Sequence, residues 1–376
     1  MDAEDRLYAA LDGQQLDVPP TISMAVDPNI VNQALGNKPS KLLEFLNSGP
    51  GSRLVDRHHG LFNRFYDQAM FLFYGNYIRA NYQMGFDAVW FTFWRMQLCD
   101  HTYLQDAFGR RMNIVDDGFG NAYAMYSDGL ITTPEEWRAW PRPNIAEYAM
   151  ATARMYRVLR AMWRRKIAVI PFIGPGPWEN SWQPMGFTRY VTLLRRDPAF
   201  AREAIGYYTA LIVASVDACC AAGARVLTMG EDLAYKSGPM LSPEMLEKFY
   251  GESYRQITAT AHRHGAKMAI HCCGNTRDLV EKFVEWGFDG AHAFEPSAGN
   301  DLAEAREKVG DRLCIIGNID VTRTLVTGTR EEVEAEVAAA IRDSRGGGFI
   351  LTPAHSHSDL SVERIKWMLE AGRRQG

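Results

Sequence analysis

The chain has 376 residues, of which 41 are Lys or Arg and 45 are Asp or Glu, so its formal net charge is −4. Hydrophobic residues make up 47% and charged residues 23% of the sequence, which is the composition of a globular protein and excludes a wholly disordered chain. A net charge this small provides no electrostatic basis for binding nucleic acid or an anionic membrane.

The N-terminal segment and the cysteines favour a cytoplasmic protein. Residues 1–11 are acidic and are not followed by the apolar stretch of a secretory signal. The chain has no run of about 20 uncharged apolar residues, so we expect no transmembrane helix. Its six cysteines include two adjacent pairs. That is not the pattern of a disulfide framework, and we expect core fillers, metal ligands or nucleophiles in a reducing compartment.

The N-terminal half of the chain follows a loose strand and helix pattern. Apolar segments at residues 21–26, 88–93 and 167–173 predict strands. Residues 42–46 and 61–84 have a helical pattern. These elements are compatible with strand–helix units that are less regular than those of the second half.

One segment departs from this pattern. Residues 100–143 are rich in Asp, Gly, Tyr and Pro and have no helical periodicity. We interpret them as an excursion from the main fold with β-hairpin character.

The C-terminal half repeats a strand followed by a helix five times. The strands are short, continuous and apolar, as in a buried parallel sheet, and are predicted at residues 225–229, 267–270, 290–294, 313–316 and 349–351. The helices are predicted at residues 243–264, 276–286, from about 302, 330–345 and 361–373. With the N-terminal half this makes about eight strands, which predicts one α/β domain over residues 1–376, a (β/α)8 TIM barrel. The alternative is an open, doubly wound sheet.

Active sites of such barrels lie where the strands end, so the residues that directly follow the strands are the candidates for chemistry. Ten residues follow the predicted strands in this way. Five of them are thiols or imidazoles, which suit zinc, and the other five can supply oxygen. They are Glu231, Asp232, His271, Cys272, Cys273, Glu295, Asn318, Asp320, His355 and His357.

The candidate metal ligands are His271, Cys273 and His355. Side chains alternate along an extended strand, so His271 and Cys273 point the same way while Cys272 points the opposite way. His355 follows the last strand and would meet them at the top of the barrel. The alternatives are that the cysteine is a small buried hydrophobic residue and that the histidines only form hydrogen bonds in loops.

The other candidates have open roles. Glu231 and Asp232 would be a general acid/base pair or metal ligands, or they would cap the following segment. Tyr235 and Lys236 are candidates for contacting a substrate. We expect Asn318 and Asp320 to organise a turn. We expect the remaining cysteines to be structural, namely Cys99, Cys219, Cys220 and Cys314.

Aromatic residues are candidates for lining an apolar pocket for a bulky substrate. We expect this role for Trp94 and Trp178, which belong to two aromatic clusters near strand ends. The alternative for about half of these aromatic residues is packing on a core strand.

Four segments in this order resemble the uroporphyrinogen decarboxylase superfamily. They are GEDLAYKSGPMLSPE (230–244), HGAKMAIHCCGN (264–275), GDRLCIIGNID (310–320) and GGGFILTP (346–353). The segment RLYAALDG (6–13) is also similar to the opening helix of the family. The superfamily includes cobamide-dependent methyltransferases, which move methyl groups between corrinoid proteins and thiols.

The resemblance implies a (β/α)8 barrel with its site at the strand C-termini. In the methyltransferase branch the zinc ligands are a His-x-Cys and a later Cys. His271 and Cys273 match the first two, but His355 occupies the position of the later Cys. With one thiolate in place of two, a zinc site keeps about one positive charge, which polarises a bound group more and leaves a bound thiolate less nucleophilic.

The decarboxylase branch fits less well. It implies an Arg-rich cradle near the first strand, yet residues 21–29 contain no Arg or Lys. Without cations, burial of a substrate with several carboxylates is costly.

We therefore expect a methyltransferase or O-demethylase component that uses zinc and a small-molecule substrate, and the resemblance implies a homodimer. The chain has no corrinoid-binding Asp-x-His-x-x-Gly, so a corrinoid would be carried by a separate protein. One alternative is a metal-free decarboxylase that uses Asp232 or Glu231. The other is a barrel that binds a small molecule without chemistry.

Overall fold

The computed structural model describes residues 1–24, 27–38 and 49–374. Its strands are β1 (Ile22–Ser23), β2 (Ala88–Thr92), β3 (Met96–Leu98), β4 (Tyr103–Asp106), β5 (Arg110–Asp116), β6 (Ala122–Gly129), β7 (Ala168–Ile173), β8 (Val226–Gly230), β9 (Ala234–Tyr235), β10 (Gly238–Pro239), β11 (Lys267–Cys272), β12 (Gly290–Ala293), β13 (Cys314–Ile319) and β14 (Phe349–Pro353).

The described helices surround these strands. They are α1 (Ala3–Leu11), α2 (Pro28–Leu35), α3 (Gly49–Arg64), α4 (Tyr66–Met84), α5 (Pro134–Ala139), α6 (Ile145–Trp163), α7 (Pro177–Trp182), α8 (Phe187–Arg196), α9 (Pro198–Ala221), α10 (Pro243–Leu246), α11 (Glu252–Arg263), α12 (Val280–Glu285), α13 (Leu302–Val309), α14 (Thr324–Thr327), α15 (Arg330–Asp343) and α16 (Val362–Arg374). A π-helical turn, Glu247–Gly251, joins α10 to α11, and a 3-10 turn, Pro296–Ala298, follows β12.

Eight parallel strands form the barrel, in the order β1-β2-β7-β8-β11-β12-β13-β14. A parallel bridge between Thr21 and Leu351 joins the first strand to the last. Strands such as β11 are buried along nearly their whole length, which explains their continuous apolar sequences. The predicted (β/α)8 barrel is confirmed, and the open sheet is excluded.

The predicted excursion is also confirmed. Strands β3 to β6 form a separate antiparallel sheet of four strands, in that order. The sheet starts a few residues earlier than predicted and ends at Gly129. The rest of the predicted segment differs from the prediction, because it contains the helix α5. Arg110 on β5 forms a buried ion pair with Asp106, with 2.5 Å between Nη2 and Oδ2, and its Nη1 donates to Oε1 of Gln183 at 3.1 Å. The sheet of strands β3 to β6 is the insertion sheet, and it is thus attached to the segment that follows α7.

Two of the predicted helices differ clearly in extent. The helix predicted at residues 61–84 is two helices, since α3 and α4 are separate, and the helix predicted at 276–286 begins only at Val280. Thr276 lies outside this helix, because its backbone N–H donates to Oδ1 of Asn300. The predicted helix at 42–46 and the end of the predicted strand at 21–26 lie outside the described residues.

Helix α9 is long and apolar. By length and composition alone it could cross a membrane, and 56% of its most apolar 18-residue window is buried inside the protein. Its buried residues pack against α6 and α11, as expected of a core helix in a barrel. Cys219 and Cys220 lie on this helix and are buried there, which agrees with the structural role predicted for them.

Helix α1 closes the N-terminal end of the barrel. Its apolar side packs on the interior side chains of the strands, in a cluster formed by Leu7, Ala10, Leu11, Ile22, Ala88, Trp90, Ile170, Val226, Ala269, Cys314, Ile316 and Ile350. The approach is so close that a Cβ on Gly348 would lie 1.7 Å from the carbonyl oxygen of Ala10. A glycine directly before β14 is therefore needed for the helix to seat.

We expect Gly348→Ala to lower the free energy of unfolding by about 1–3 kcal/mol, because backbone must move to admit the methyl group. Urea denaturation of the two proteins measures this difference. Gly206→Ala is the matched control, since Gly206 is exposed on α9 and a Cβ there meets nothing within 4 Å. That substitution should stabilise the protein by up to about 1 kcal/mol. Equal stability of Gly348→Ala and wild type would contradict the packing argument.

Candidate metal centre

The structure brings together the three predicted metal ligands. His271 lies within β11, Cys273 follows that strand directly, and His355 comes two residues after β14. One ligand atom from each of the three lies within 4.8 Å of the others, and Nε2 of His271 is 3.2 Å from Sγ of Cys273. His271 is buried and the other two are half-buried. Two imidazoles and a thiol thus converge at the C-terminal end of the barrel.

Cys272 points away from this group, as the alternation of the strand predicts. Its thiol is fully buried and accepts a hydrogen bond from the backbone N–H of Leu233 at 3.2 Å. Burial raises the pKa of Cys272 well above its usual value. It is therefore a structural thiol, in contrast to its neighbour.

The ring nitrogens of the two candidate histidines have further partners. Nδ1 of His271 is 2.6 Å from Nδ1 of His292, and Nδ1 of His355 is 2.7 Å from the carbonyl oxygen of Ser356. Burial lowers the pKa of His271 to about 4, so its imidazole is neutral, which is the form that binds metals. His292 was missed by the sequence reasoning. The signal was its place within the predicted buried strand 290–294, where a polar imidazole is unusual.

Asp232 lies beside the three ligands. Its Oδ1 accepts a hydrogen bond from the backbone N–H of Cys273 at 2.9 Å and is 3.8 Å from Nε2 of His271. Glu295 lies near the same loop, where its Oε1 accepts from the N–H of Gly274 at 3.0 Å. A carboxylate oxygen of Asp232 therefore lies close to the candidate ligand nitrogen of His271.

Glu231 is completely buried and caps α7. Its Oε1 accepts hydrogen bonds from the N–H of Trp178 at 2.7 Å and the hydroxyl of Tyr254 at 2.8 Å, and its Oε2 accepts from the N–H of Glu179 at 3.1 Å. A Cβ on Gly176 would lie only 2.6 Å from Cδ of Glu231, so the carboxyl group occupies the space beside that glycine. Burial raises the pKa of Glu231 to about 8. Of its three predicted roles, the geometry corresponds to capping, although of a helix that precedes it in the chain. Catalysis and metal binding by Glu231 stay predictions.

Glu179 is a second acidic residue that the sequence reasoning missed. Its Oε2 accepts from the backbone N–H of Asp232 at 2.9 Å, and its Oε1 accepts from Nε2 of Gln183 at 2.5 Å. Burial, reinforced by the charges of Asp232 and Glu231, raises the pKa of Glu179 well above its usual value. Glu179 follows the end of β7 closely, so extending the strand-end rule to the first turn of the next helix would have found it.

The predicted substrate contacts lie in different environments. Tyr235 and Lys236 are exposed at the turn between β9 and β10, shortly after Asp232. Trp94 is half-buried, and its Nε1 donates to the carbonyl of Gly174 at 3.2 Å, at the end of β7. Trp178 is fully buried, with its ring edge-on to that of Tyr250 at 5.6 Å between centroids, which is the position of a core residue.

The remaining strand-end residues have structural contacts. Oδ1 of Asp320 accepts from the N–H groups of Thr322 and Arg323 at 2.8 and 2.6 Å, which confirms its predicted role in a turn. Asn318 differs from the prediction, because it lies within β13, where its Nδ2 donates to the carbonyl of Phe294 at 3.1 Å. His357 is exposed and lies 3.3 Å from Asp359.

The group has the donor set of a zinc site. Histidine nitrogen, cysteine sulfur and carboxylate oxygen are the ligands that zinc takes in proteins, and three protein ligands with a further position open is the pattern of catalytic sites. His271, Cys273 and His355 could hold such an ion, with Asp232 adjacent to it. A zinc ion held by these residues would polarise a bound group beside the carboxylate of Asp232.

Comparison with known sequences finds one family model and several curated relatives that match this chain. The family model for uroporphyrinogen decarboxylase (URO-D) matches residues 84–375. The protein "Methylcobamide:CoM methyltransferase MtaA" of Methanosarcina barkeri is 26% identical over 170 residues, which are 45% of this chain and 47% of that protein. A "Uroporphyrinogen decarboxylase" of Trichodesmium erythraeum is 23% identical over 206 residues, which are 53% of this chain and 55% of that protein. The chain thus matches about half the length of these curated relatives.

Comparison of structures extends the similarity to the whole chain. The solved structure "methyltransferase from Methanosarcina mazei" superposes with a TM-score of 0.67 and 16% sequence identity. The match covers 100% of this chain and 99% of the other. The two proteins therefore share a fold.

Proposed function

Because the chain belongs to the uroporphyrinogen decarboxylase family, we propose that it is a methyltransferase or O-demethylase component of that family. It transfers a methyl group between a small-molecule donor, a corrinoid on a separate protein and an acceptor. The transfer takes place at a zinc site formed by His271, Cys273 and His355. Support comes from the relative named as a methylcobamide:CoM methyltransferase, whose methyl donor is a cobamide.

One observation carries the proposal, namely the convergence of three metal-binding side chains on the catalytic end of the barrel. His271 comes from β11, Cys273 from the position directly after it and His355 from the segment after β14. Strands β12 and β13 separate β11 from β14 in the sheet. Capping or packing does not require a thiol and two imidazoles from distant segments to meet within 4.8 Å. A shared metal ion does require it.

The residues present fit zinc. His271 and His355 each have Nδ1 engaged by another group, which leaves Nε2 available as the ligand atom. Without a metal, burial raises the pKa of the Cys273 thiol well above its usual value, so binding of a cation is coupled to loss of that proton. When bound, zinc would supply Lewis-acid polarisation of the group at its open position.

Asp232 has a specific part in the proposal. His355 takes the place of a cysteine in the ligand set of the methyltransferases, which removes one negative charge from the site. Asp232, with its Oδ1 3.8 Å from Nε2 of His271, supplies that charge as a fourth ligand or accepts the proton of the acceptor. With Asp232 included, the site again offers two negative charges to a dication.

Metal content tests the proposal. We expect about one zinc per chain in purified wild type by elemental analysis, and loss of that zinc in Cys273→Ala, which lacks the only sulfur ligand. Cys272→Ala is the matched control, because its thiol faces the core and not the site. It should keep the full zinc content.

Two results would overturn the proposal. One is full zinc content in Cys273→Ala, which would place the metal elsewhere. The other is wild type without stoichiometric metal. That result would favour decarboxylation by Asp232 or Glu231. An assay for carbon dioxide released from a single carboxylate substrate would detect this reaction. Tight binding of a small molecule without any turnover would instead favour a binding protein.

A further inference from the structure

We infer that His292 is a positioning residue that holds His271 in the one tautomer able to bind a metal through Nε2. His292 lies on β12, next to β11, and is 1% exposed. The inference deepens the proposed function and rests on it for the identity of the metal. The tautomer itself follows from contacts within the protein.

The first step concerns the proton on His292. Its Nε2 is 3.3 Å from the carbonyl oxygen of Pro353, which can only accept a hydrogen bond. Nε2 of His292 therefore carries the proton. The neutral imidazole has a single N–H, and the contact with Pro353 uses it. Nδ1 of His292 is consequently a bare acceptor.

The second step transfers this constraint to His271. Nδ1 of His292 is 2.6 Å from Nδ1 of His271, and the ring planes differ by only 29° with centroids 4.8 Å apart, so the rings meet through their nitrogen-bearing edges. One of two nitrogens this close must carry a proton, and that of His292 does not. Nδ1 of His271 therefore donates, and Nε2 of His271 is left with its lone pair directed at Sγ of Cys273, 3.2 Å away.

The position of His292 links both parts of the site. Pro353 ends β14 and is followed closely by His355, while β11 carries His271. His292 thus connects, across the interior of the barrel, the two strands from which the candidate ligands come. Trp90 packs edge-on against its ring at 4.9 Å between centroids and keeps the imidazole in place.

This arrangement has a cost that packing alone would not require. A buried imidazole gives up two hydrogen bonds to water, and an apolar side chain would fill the same space more cheaply. Outer partners that accept the second N–H of a metal-binding imidazole fix the ring orientation, and their removal weakens metal binding by about 10–100-fold. His292 touches the candidate ligand and not the reacting atoms, so its role is positioning.

A matched pair of amides tests the inference. His292→Asn keeps an acceptor near the place of Nδ1, next to His271. His292→Gln keeps a donor near the place of Nε2, next to Pro353, but has no acceptor beside His271. We expect zinc affinity, measured by competition with a chelator, to fall about 10–100-fold in His292→Gln and to stay within a few-fold of wild type in His292→Asn. Wild-type affinity in both variants, or equal loss in both, would overturn the inference.

A second measurement does not require the metal. Nitrogen-15 NMR of histidine-labelled, metal-free protein reports which ring nitrogen of His271 carries the proton. We expect Nδ1–H in wild type and in His292→Asn, and a mixture of tautomers in His292→Gln. A proton on Nε2 in wild type would refute the inference. Wild type that binds no zinc but shows Nδ1–H would refute the proposed function and leave the positioning role supported.

Discussion

Glu231→Ala is expected to lower the free energy of unfolding by about 3–5 kcal/mol. The substitution removes the acceptor of three buried donors at once, the N–H groups of Trp178 and Glu179 and the hydroxyl of Tyr254. It also leaves the N-terminus of α7 without its cap, because Gly176 has no side chain that could replace the carboxylate. Urea denaturation of wild type and variant measures the difference.

Glu231→Gln separates the cap from a catalytic role. The amide oxygen can accept from Trp178 and Tyr254, but the amide nitrogen cannot accept from the N–H of Glu179, so we expect about a third to a half of the loss seen with alanine. Unchanged stability in Glu231→Ala would contradict the capping role. If Glu231→Gln were as stable as wild type but inactive, Glu231 would act in catalysis.

His355→Ala is expected to weaken zinc binding by more than about 100-fold, since loss of a direct ligand exceeds the usual effect of losing an outer partner. The three side chains meet within 4.8 Å, so the two that remain cannot form the same site. Chelator competition measures the affinity. His357→Ala is the matched control, because His357 is exposed and paired with Asp359, and its loss should leave zinc affinity unchanged.

His355→Cys tests the charge argument separately. It should keep stoichiometric zinc, because cysteine is itself a ligand, while adding a second thiolate to the site. A thiol acceptor bound next to more negative charge should react faster relative to wild type, as its sulfur is less polarised. Normal zinc affinity in His355→Ala, or loss of zinc in His355→Cys, would remove His355 from the site.

The barrel and its candidate ligands could be predicted because both follow from local patterns. The apolar segment before His271 predicts a buried strand, and the alternation along it separates Cys273 from Cys272. The contacts of His292 and Glu179 could not be derived in this way. They depend on the pairing of β12 with β11, where His271 lies opposite His292, and on the path of the chain from β7 into α7. Neither is encoded in any short segment.

Glu231 shows a second limit of sequence reasoning. A carboxylate after a strand predicts a catalytic group or a cap of the next helix, and the structure uses it to cap α7, which precedes it in the chain. The late start of α12 has a similar origin, since Asn300, beyond β12, binds the N–H of Thr276. In both cases a partner distant in sequence overrides the local preference.

The attachment of the insertion sheet constrains how this barrel can be recombined with relatives. Arg110 on β5 donates to Gln183, Gln183 donates to Glu179, and Glu179 accepts from the backbone of Asp232 beside the candidate metal ligands. A chimera that exchanges residues 96–129 alone would leave Gln183, which binds Glu179, without its partner Arg110 from the sheet. The insertion and the segment from α7 to Gln183 therefore form one exchangeable module, and graft boundaries placed between them should disturb the loop that carries Asp232.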